Sequence, residues 1–330
     1  MTQYPECLLN REAQYAAFSN GPLLDFWRRR DEGEFIGVDR VPIRFARFAS
    51  PRHHQVVMLL TGRTDSYVKY SEVAYDLFHN GYDVLMMDHR GQGRSGRLLK
   101  DTHRGHVENF SDYVDDVAQF WQLQLAKSGY KRRFALAHSM GGVILADFLA
   151  RRPEAFDAAA LCAPMCDIHL PMPEWLAWRI LDRTERYPKL RDYYAIGASQ
   201  WQPLPFVLNV LTHSRARHLR SMRLYADDPS LRIGGPTYHW VREALLAGRD
   251  LMSRAAKMTV PLLVLQAEDD LVVDNRGQDA FCKAMAVAGH PVAGGKPQVI
   301  RGARHDMLFE EDTVRADVLR RILHHFAQYH

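Results

Sequence analysis

Residues 135–142 read ALAHSMGG, and their reading decides the fold. The stretch follows the form small-Xaa-Ser-Xaa-Gly. Its usual version has glycine at both small positions; here Gly141 fills the second, and Ala137 fills the first with one extra methyl. A hydroxyl is a weak nucleophile near neutral pH. It needs a base to take its proton, a group to orient that base, and donors for the developing oxyanion. A strand ending in a strained turn, with a helix starting directly behind it, presents a serine to all three. The alternative is a buried small-residue turn without chemistry, so the flanking sequence has to decide.

Working outward, RFALAHS reads as a strand running into the motif, and MGGVILADFLARRP as a helix ended by Pro153. Upstream, EFIGVD and VPIRFARFA suggest a hairpin, and HQVVMLLTG is an apolar run ending in a glycine turn. SYVKYSEVAYDLFHNG has helical spacing and stops at Asn80-Gly81, and YDVLMMD reads as a buried parallel strand. A further helix carries Val114, Val117, Trp121 and Leu125 on one face. AFDAAALCAP is another short strand. Alternation then lapses for roughly a hundred residues and resumes with VPLLVLQAEDD, a helix near 276–289, the strand KPQVIRG and a last helix from about Asp312. This predicts an α/β protein, a mostly parallel central sheet with helices on both faces. The lapse predicts an inserted helical cap at 165–254, dividing a core into parts 1–164 and 255–330.

For this architecture the partners should follow in the order Ser, Asp, His. RGARHDML places His305 in a short loop directly after the last strand. QAEDDLVVDN supplies the acid, with Glu268, Asp269, Asp270 and Asp274 competing. The usual spacing is Gly-Xaa-Xaa-Asp followed by an apolar pair. With Ala267 in the glycine place, it selects Asp270, ahead of Leu271 and Val272. The oxyanion should be received by the backbone N–H of Met140, directly after Ser139. The second donor should come from the loop LLTGRTD, as the N–H of Arg63.

Other readings fall away. GQGRSG at 91–96 matches a dinucleotide-binding pattern, but RLLKDTHRGH behind it opens no amphipathic helix to receive a pyrophosphate. There is no HExxH, and His103 and His106 lack nearby ligands, so neither metal nor cofactor is expected. Four scattered cysteines (Cys7, Cys162, Cys166, Cys282) lack zinc-ligand spacing and read as reduced thiols. The opening MTQYPECLLNREAQ has no secretory pattern, and no apolar run is long enough to span a bilayer. A cytoplasmic protein is the expectation.

With these residues placed, the chain resembles the α/β-hydrolase superfamily in its monoglyceride-lipase-like branch, through DHRGQGRSG, AHSMGG and RGARHDML. More closely, it is similar to bacterial lysophospholipases of the L-two type. AYDLFHNGYDVLMMDHRGQGRSGRLL, YADDPSLRIGGPTYHWVREALLAG, QAEDDLVVDNR and GPLLDFWRRRDEGEF carry that likeness. The resemblance implies an α/β-hydrolase fold and a serine esterase that removes the acyl chain of a lysophospholipid at the inner membrane's cytoplasmic face. It assigns Ser139 as nucleophile, His305 as base and Asp270 as orienting acid. It departs from the superfamily at Ala137 and at Thr61-Gly62, where related lipases usually show His-Gly.

The net charge of +4 is localised. Residues 165–254 carry 13 basic residues against 9 acids, so the remainder balances and the excess sits in the predicted cap. The cap also holds Trp175, Trp178, Trp201 and Trp240, and HSRARHLRSMR at 213–223 contains no acid. Aromatics beside arginines suit an interface between oil and phosphate. Arg215, Arg217, Arg220 and Arg223 are therefore candidate contacts to lipid headgroups, and peripheral docking on an anionic membrane is expected. A charged solvent face over an ordinary core would carry the same residues. No groove-reading motif points to nucleic acid, and no protein partner is inferable. The rival functions are a monoacylglycerol lipase or general carboxylesterase with the same triad, and a non-catalytic lipid-binding protein on the same scaffold.

Overall fold

The computed structural model describes residues 11–329; Cys7 and the rest of MTQYPECLLN lie outside the described residues. The apolar runs become strands of one sheet. An antiparallel hairpin opens it, β1 (Asp31–Ile36) and β2 (Pro42–Phe48). β3 (Gln55–Leu60), β4 (Tyr82–Met87), β5 (Arg132–His138), β6 (Ala158–Cys162), β7 (Leu262–Ala267) and β8 (Gln298–Ile300) complete it. The spatial order is β1-β2-β4-β3-β5-β6-β7-β8. β2 meets β4 antiparallel; every pairing onward to β8 is parallel. β4, β6 and β7 are buried along their whole length, as strands covered on both faces must be.

The helices are α1 (Tyr15–Asn20), α2 (Pro22–Trp27), α3 (Ser71–His79), α4 (Phe110–Gln124), α5 (Met140–Arg151), α6 (Glu174–Thr184), α7 (Pro188–Arg191), α8 (Arg215–Asp227), α9 (Tyr238–Arg254), α10 (Asn275–Val287) and α11 (Asp312–Ala327). Local chemistry starts several of them. Asn109 and Asp112 form a reciprocal capping box at α4. Thr237 accepts from the N–H of Trp240 at α9, and Asp274 from that of Arg276 at α10. The sequence reading omitted α1 and α2. Each has six residues, too few for a periodic signal. They are held by packing instead, with Phe26 stacked on Phe48 at 4.0 Å.

Two features position the site. First, parallel register pairs Leu60 with Ala137, His138 with Cys162 and Ala267 with Ile300. The loops leaving β3, β5, β7 and β8 therefore emerge along one edge of the sheet, where open α/β sheets gather ligands. Second, no strand joins the sheet between Cys162 and Leu262; α6 to α9 occupy that interval. Among the described residues, no helix is long and apolar enough to cross a membrane.

Candidate active site

Ser139 directly follows β5 and caps α5 with φ 54° and ψ −119°, in a region that non-glycine residues rarely occupy. Backbone bonds hold it there. Its N–H donates to Cys162 O at 3.0 Å, and its own carbonyl accepts from Gly142 at 2.9 Å and Met165 at 3.1 Å. A Cβ on Gly141 would stand 2.5 Å from Thr61 O and 2.8 Å from Leu60 O, so only glycine lets α5 pass β3 this closely. Ala137 faces no such constraint. It lies fully buried within β5, beside Leu60 and Leu161, where its methyl is ordinary core.

His305, in the loop after β8, and Asp270, after β7, converge on Ser139. His305 Nε2 lies 2.9 Å from Ser139 Oγ, and His305 Nδ1 lies 2.8 Å from Asp270 Oδ2. The hydrogen-bond network assigns the tautomer: Nδ1–H donates to the carboxylate, leaving Nε2 to accept from the hydroxyl. Asp270 Oδ1 accepts from the N–H groups of Val272 and Val273 at 2.8 and 3.0 Å. Burial alone would raise this carboxyl. The bond and charge of His305, with the two N–H groups, hold it below the usual carboxylate range instead. The competing acids do other things. Asp274 caps α10, Glu268 accepts from Gly302 N at 2.8 Å, and Asp269 is exposed.

The loop after β3 lies directly against the serine. A Cβ on Gly62 would stand 3.3 Å from Ser139 Cβ and 3.0 Å from His138 Nδ1. The GQGRSG loop braces it: Gln92 Nε2 donates to Gly62 O at 2.8 Å and to Asp65 O at 3.1 Å. Arg63 follows Gly62 here. Met140 opens α5, so its N–H is among the first-turn amides with no partner inside the helix.

Sequence reasoning missed a polar layer beneath Ser139 and His305. Lys69 Nζ bridges Asp65 Oδ1 and Asp306 Oδ2, each at 2.8 Å. The Tyr70 hydroxyl sits 2.9 Å from both Asp65 Oδ2 and His138 Nδ1. His138 Nε2–H donates to the backbone carbonyl of His305 at 3.0 Å. This last bond ties the His305 loop to the turn that carries Ser139. Burial, and then the neighbouring His305, pull the His138 imidazole below its ordinary value. Asp65, His138 and Asp306 have ligand atoms close enough to share a cation, but the Lys69 ammonium already lies between the two carboxylates. The only signal in the sequence was adjacency, since His138 and Asp306 directly neighbour Ser139 and His305.

Ser139 opens onto a cavity of about 720 Å³, within the usual range for small-molecule sites. Met165, Ile168, Ile180, Leu181, Trp201 and Leu211 give it an apolar wall. None of Arg215, Arg217, Arg220 and Arg223 lines it. Arg215 and Arg223 are exposed, and Arg220 donates to Lys69 O and Ser71 Oγ. Arg217 is a correction. It is 1% exposed and cannot touch a headgroup. Its guanidinium bonds Glu72 Oε1 at 2.9 Å, Glu72 Oε2 at 3.0 Å and Asp312 Oδ1 at 2.7 Å. The inward stripe of α8 is Arg217, Ser221 and Tyr225, four residues apart on one helix face. With no apolar run to mark it, that face reads as solvated.

Comparison with known proteins gives the family and the fold. A family model described as Hydrolase_4, serine aminopeptidase, S33, matches residues 51–312. The chain is 55% identical to "Lysophospholipase L2" of Escherichia coli (strain K12) over 97% of its own length and 94% of that protein. It is 32% identical to "Probable lysophospholipase L2" of Haemophilus influenzae, covering 95% and 97% respectively. Among solved structures it is similar to a soluble variant of monoglyceride lipase from Saccharomyces cerevisiae bound to a substrate analog. That match has a TM-score of 0.65 and 18% identity, over 88% of this chain and 92% of that one.

Proposed function

Since this chain belongs to the Hydrolase_4 family (serine aminopeptidase, S33) and has the α/β-hydrolase fold, we propose that it is a lysophospholipase, cleaving the acyl ester through an acyl-enzyme on Ser139. The observation that carries this reading is the unbroken relay Asp270–His305–Ser139 at the mouth of an apolar cavity. The near-full-length identity to a lysophospholipase points to the substrate class.

In the first half-reaction His305 Nε2 takes the hydroxyl proton while Oγ attacks the ester carbonyl carbon. The N–H groups of Met140 and Arg63 receive the oxyanion. The intermediate collapses, the bond to the glycerol oxygen breaks, and the His305 proton passes to that oxygen. Water then enters, loses a proton to His305 and attacks the acyl-enzyme. Fatty acid departs and Ser139 regains its proton. Asp270 remains ionised throughout and stabilises the transient imidazolium.

Residues 165–254 serve as a cap between core parts 1–164 and 255–330, and the cap meets the membrane. An exposed apolar segment supports this second statement. Val207 is 85% and Leu208 64% exposed, while Leu204 and Leu211 on either side line the cavity. An acyl chain could pass from bilayer to cavity along one apolar surface, with Arg215 and Arg223 free to meet anionic lipid.

The test is fatty acid release from lysophosphatidylethanolamine and from monoacylglycerol by wild type and Ser139→Ala. Preference for the lysophospholipid, lost in the variant, is expected. Better monoacylglycerol cleavage would overturn the substrate, and activity surviving in the variant would overturn the nucleophile.

A further inference from the structure

Arg63 has a second end. Its backbone N–H belongs to the oxyanion loop, but its guanidinium reaches the segment before α9. There Nη1 donates to Gly234 O at 3.1 Å, and the guanidinium carbon lies 5.4 Å from the centre of the Trp240 ring. Gly234, Trp240 and Arg63 all line the cavity that Ser139 opens onto.

Among the described residues, two fixed cations line that cavity, Arg63 and Lys69. Lys69 is neutralised by Asp65 and Asp306. Arg63 is half-buried, and no carboxylate among the described residues lies within ion-pair distance of it. Burial accordingly pulls its guanidinium below its ordinary value, with Tyr113 and Asp65 opposing. A partly desolvated cation without a counter-ion is unfavourable. The Trp240 face offsets only part of that. A guanidinium carries five N–H donors in a planar fork suited to a phosphate's oxygens. In a lysophospholipid the phosphorus lies a few bonds beyond the ester carbonyl, a span comparable with an arginine side chain. A carbonyl oxygen held by the Arg63 N–H therefore leaves a phosphate within reach of the same residue's guanidinium.

We propose that the Arg63 guanidinium receives the substrate's phosphate and sets a preference for phosphate-bearing over neutral headgroups. This deepens the lysophospholipase reading and rests on it. It also moves headgroup recognition from α8 to the loop after β3.

The first arm needs no catalysis. Binding of dodecyl phosphate, which has no carboxylic ester, and of neutral dodecyl maltoside is measured by calorimetry below their micelle concentrations. Arg63→Gln is expected to weaken dodecyl phosphate about tenfold, with partial recovery in Arg63→Lys, and to leave the maltoside affinity alike. Equal changes for both amphiphiles, or none for the phosphate, would overturn the proposal. Inorganic phosphate competing as tightly as dodecyl phosphate would assign the group to free anion and overturn it too. The second arm is the kcat/KM ratio for lysophosphatidylethanolamine over monoacylglycerol of the same chain. That ratio should fall about tenfold in Arg63→Gln; a parallel fall in both substrates would mean that only the oxyanion loop was disturbed. Wild type preferring monoacylglycerol would sink the lysophospholipase reading, while the calorimetry would still judge the phosphate receptor.

Discussion

At Ser139 the backbone sits at φ 54°, a conformation costing on the order of 1–3 kcal/mol for a non-glycine residue. The surrounding bonds from Cys162, Gly142 and Met165 offset it. The two small positions of the motif are not equivalent. Gly141→Ala would drive a Cβ into the carbonyls of Thr61 and Leu60, 2.5 and 2.8 Å away. These head the loop that carries Arg63, so turnover should fall about 10²-fold or more as a donor is displaced. Ala137→Gly removes one buried methyl and loosens a strand interior, which should destabilise by about 1–2 kcal/mol and leave turnover within a few fold. Assays of kcat and of denaturant midpoint on both variants separate the two. Equal loss of turnover would mean that position 137 also shapes the elbow. The small–Ser–small pattern was legible in the sequence. Which small residue must be glycine was not, because that depends on the distance to a strand some eighty residues earlier.

At the level of elements, α8 shows how charge can do the work usually given to apolar side chains. Its inward Arg217 joins α3 through Glu72 and α11 through Asp312, and Arg11 and Arg315 reach the same Glu72. Removing one member leaves buried carboxylates short of partners, so Arg217→Met should destabilise by about 3–5 kcal/mol. Denaturant titration checks this; a loss below about 1 kcal/mol would sink the claim that the contact clamps the helix. A pH series adds the sign. Burial would raise the Glu72 carboxyl, but Arg315, Arg217 and Arg11 hold it well below its ordinary 4.5. Its stabilisation is therefore present above that value and lost as pH falls through the depressed folded one. The acid-side loss should be shallower in Arg217→Met. Helix periodicity could not reveal this face, since its stripe of Arg, Ser and Tyr carries no hydrophobic signal.

For the whole molecule, the proposed route from lipid to serine runs through the 204–211 segment. Val207→Ser with Leu208→Ser should lower partitioning onto vesicles of anionic phospholipid about tenfold or more, at any salt. Arg215→Glu with Arg223→Glu should lower it mainly at low salt, by roughly 1 kcal/mol per charge. Vesicle sedimentation reads both, and unchanged binding in both variants would remove the cap from the membrane. The comparison also separates oil from charge as the main attraction, which composition alone could not do.

The sequence by itself marked the alternation of strand and helix, the small–Ser–small turn, and the expected order Ser139, Asp270, His305, because these are written in local patterns: apolar runs, turn residues, and spacing after a strand. It also marked where alternation lapses. Only the tertiary structure decided what lies between those landmarks. It brought Asp65, Lys69, Tyr70, His138 and Asp306 together beneath Ser139 and His305, buried Arg217 and left Arg63 at the cavity without a counter-ion among the described residues. The reason is physical. Whether a charged residue is paired, solvated or waiting for a ligand depends on which distant side chains share its few ångströms of space, and sequence spacing carries no record of that distance.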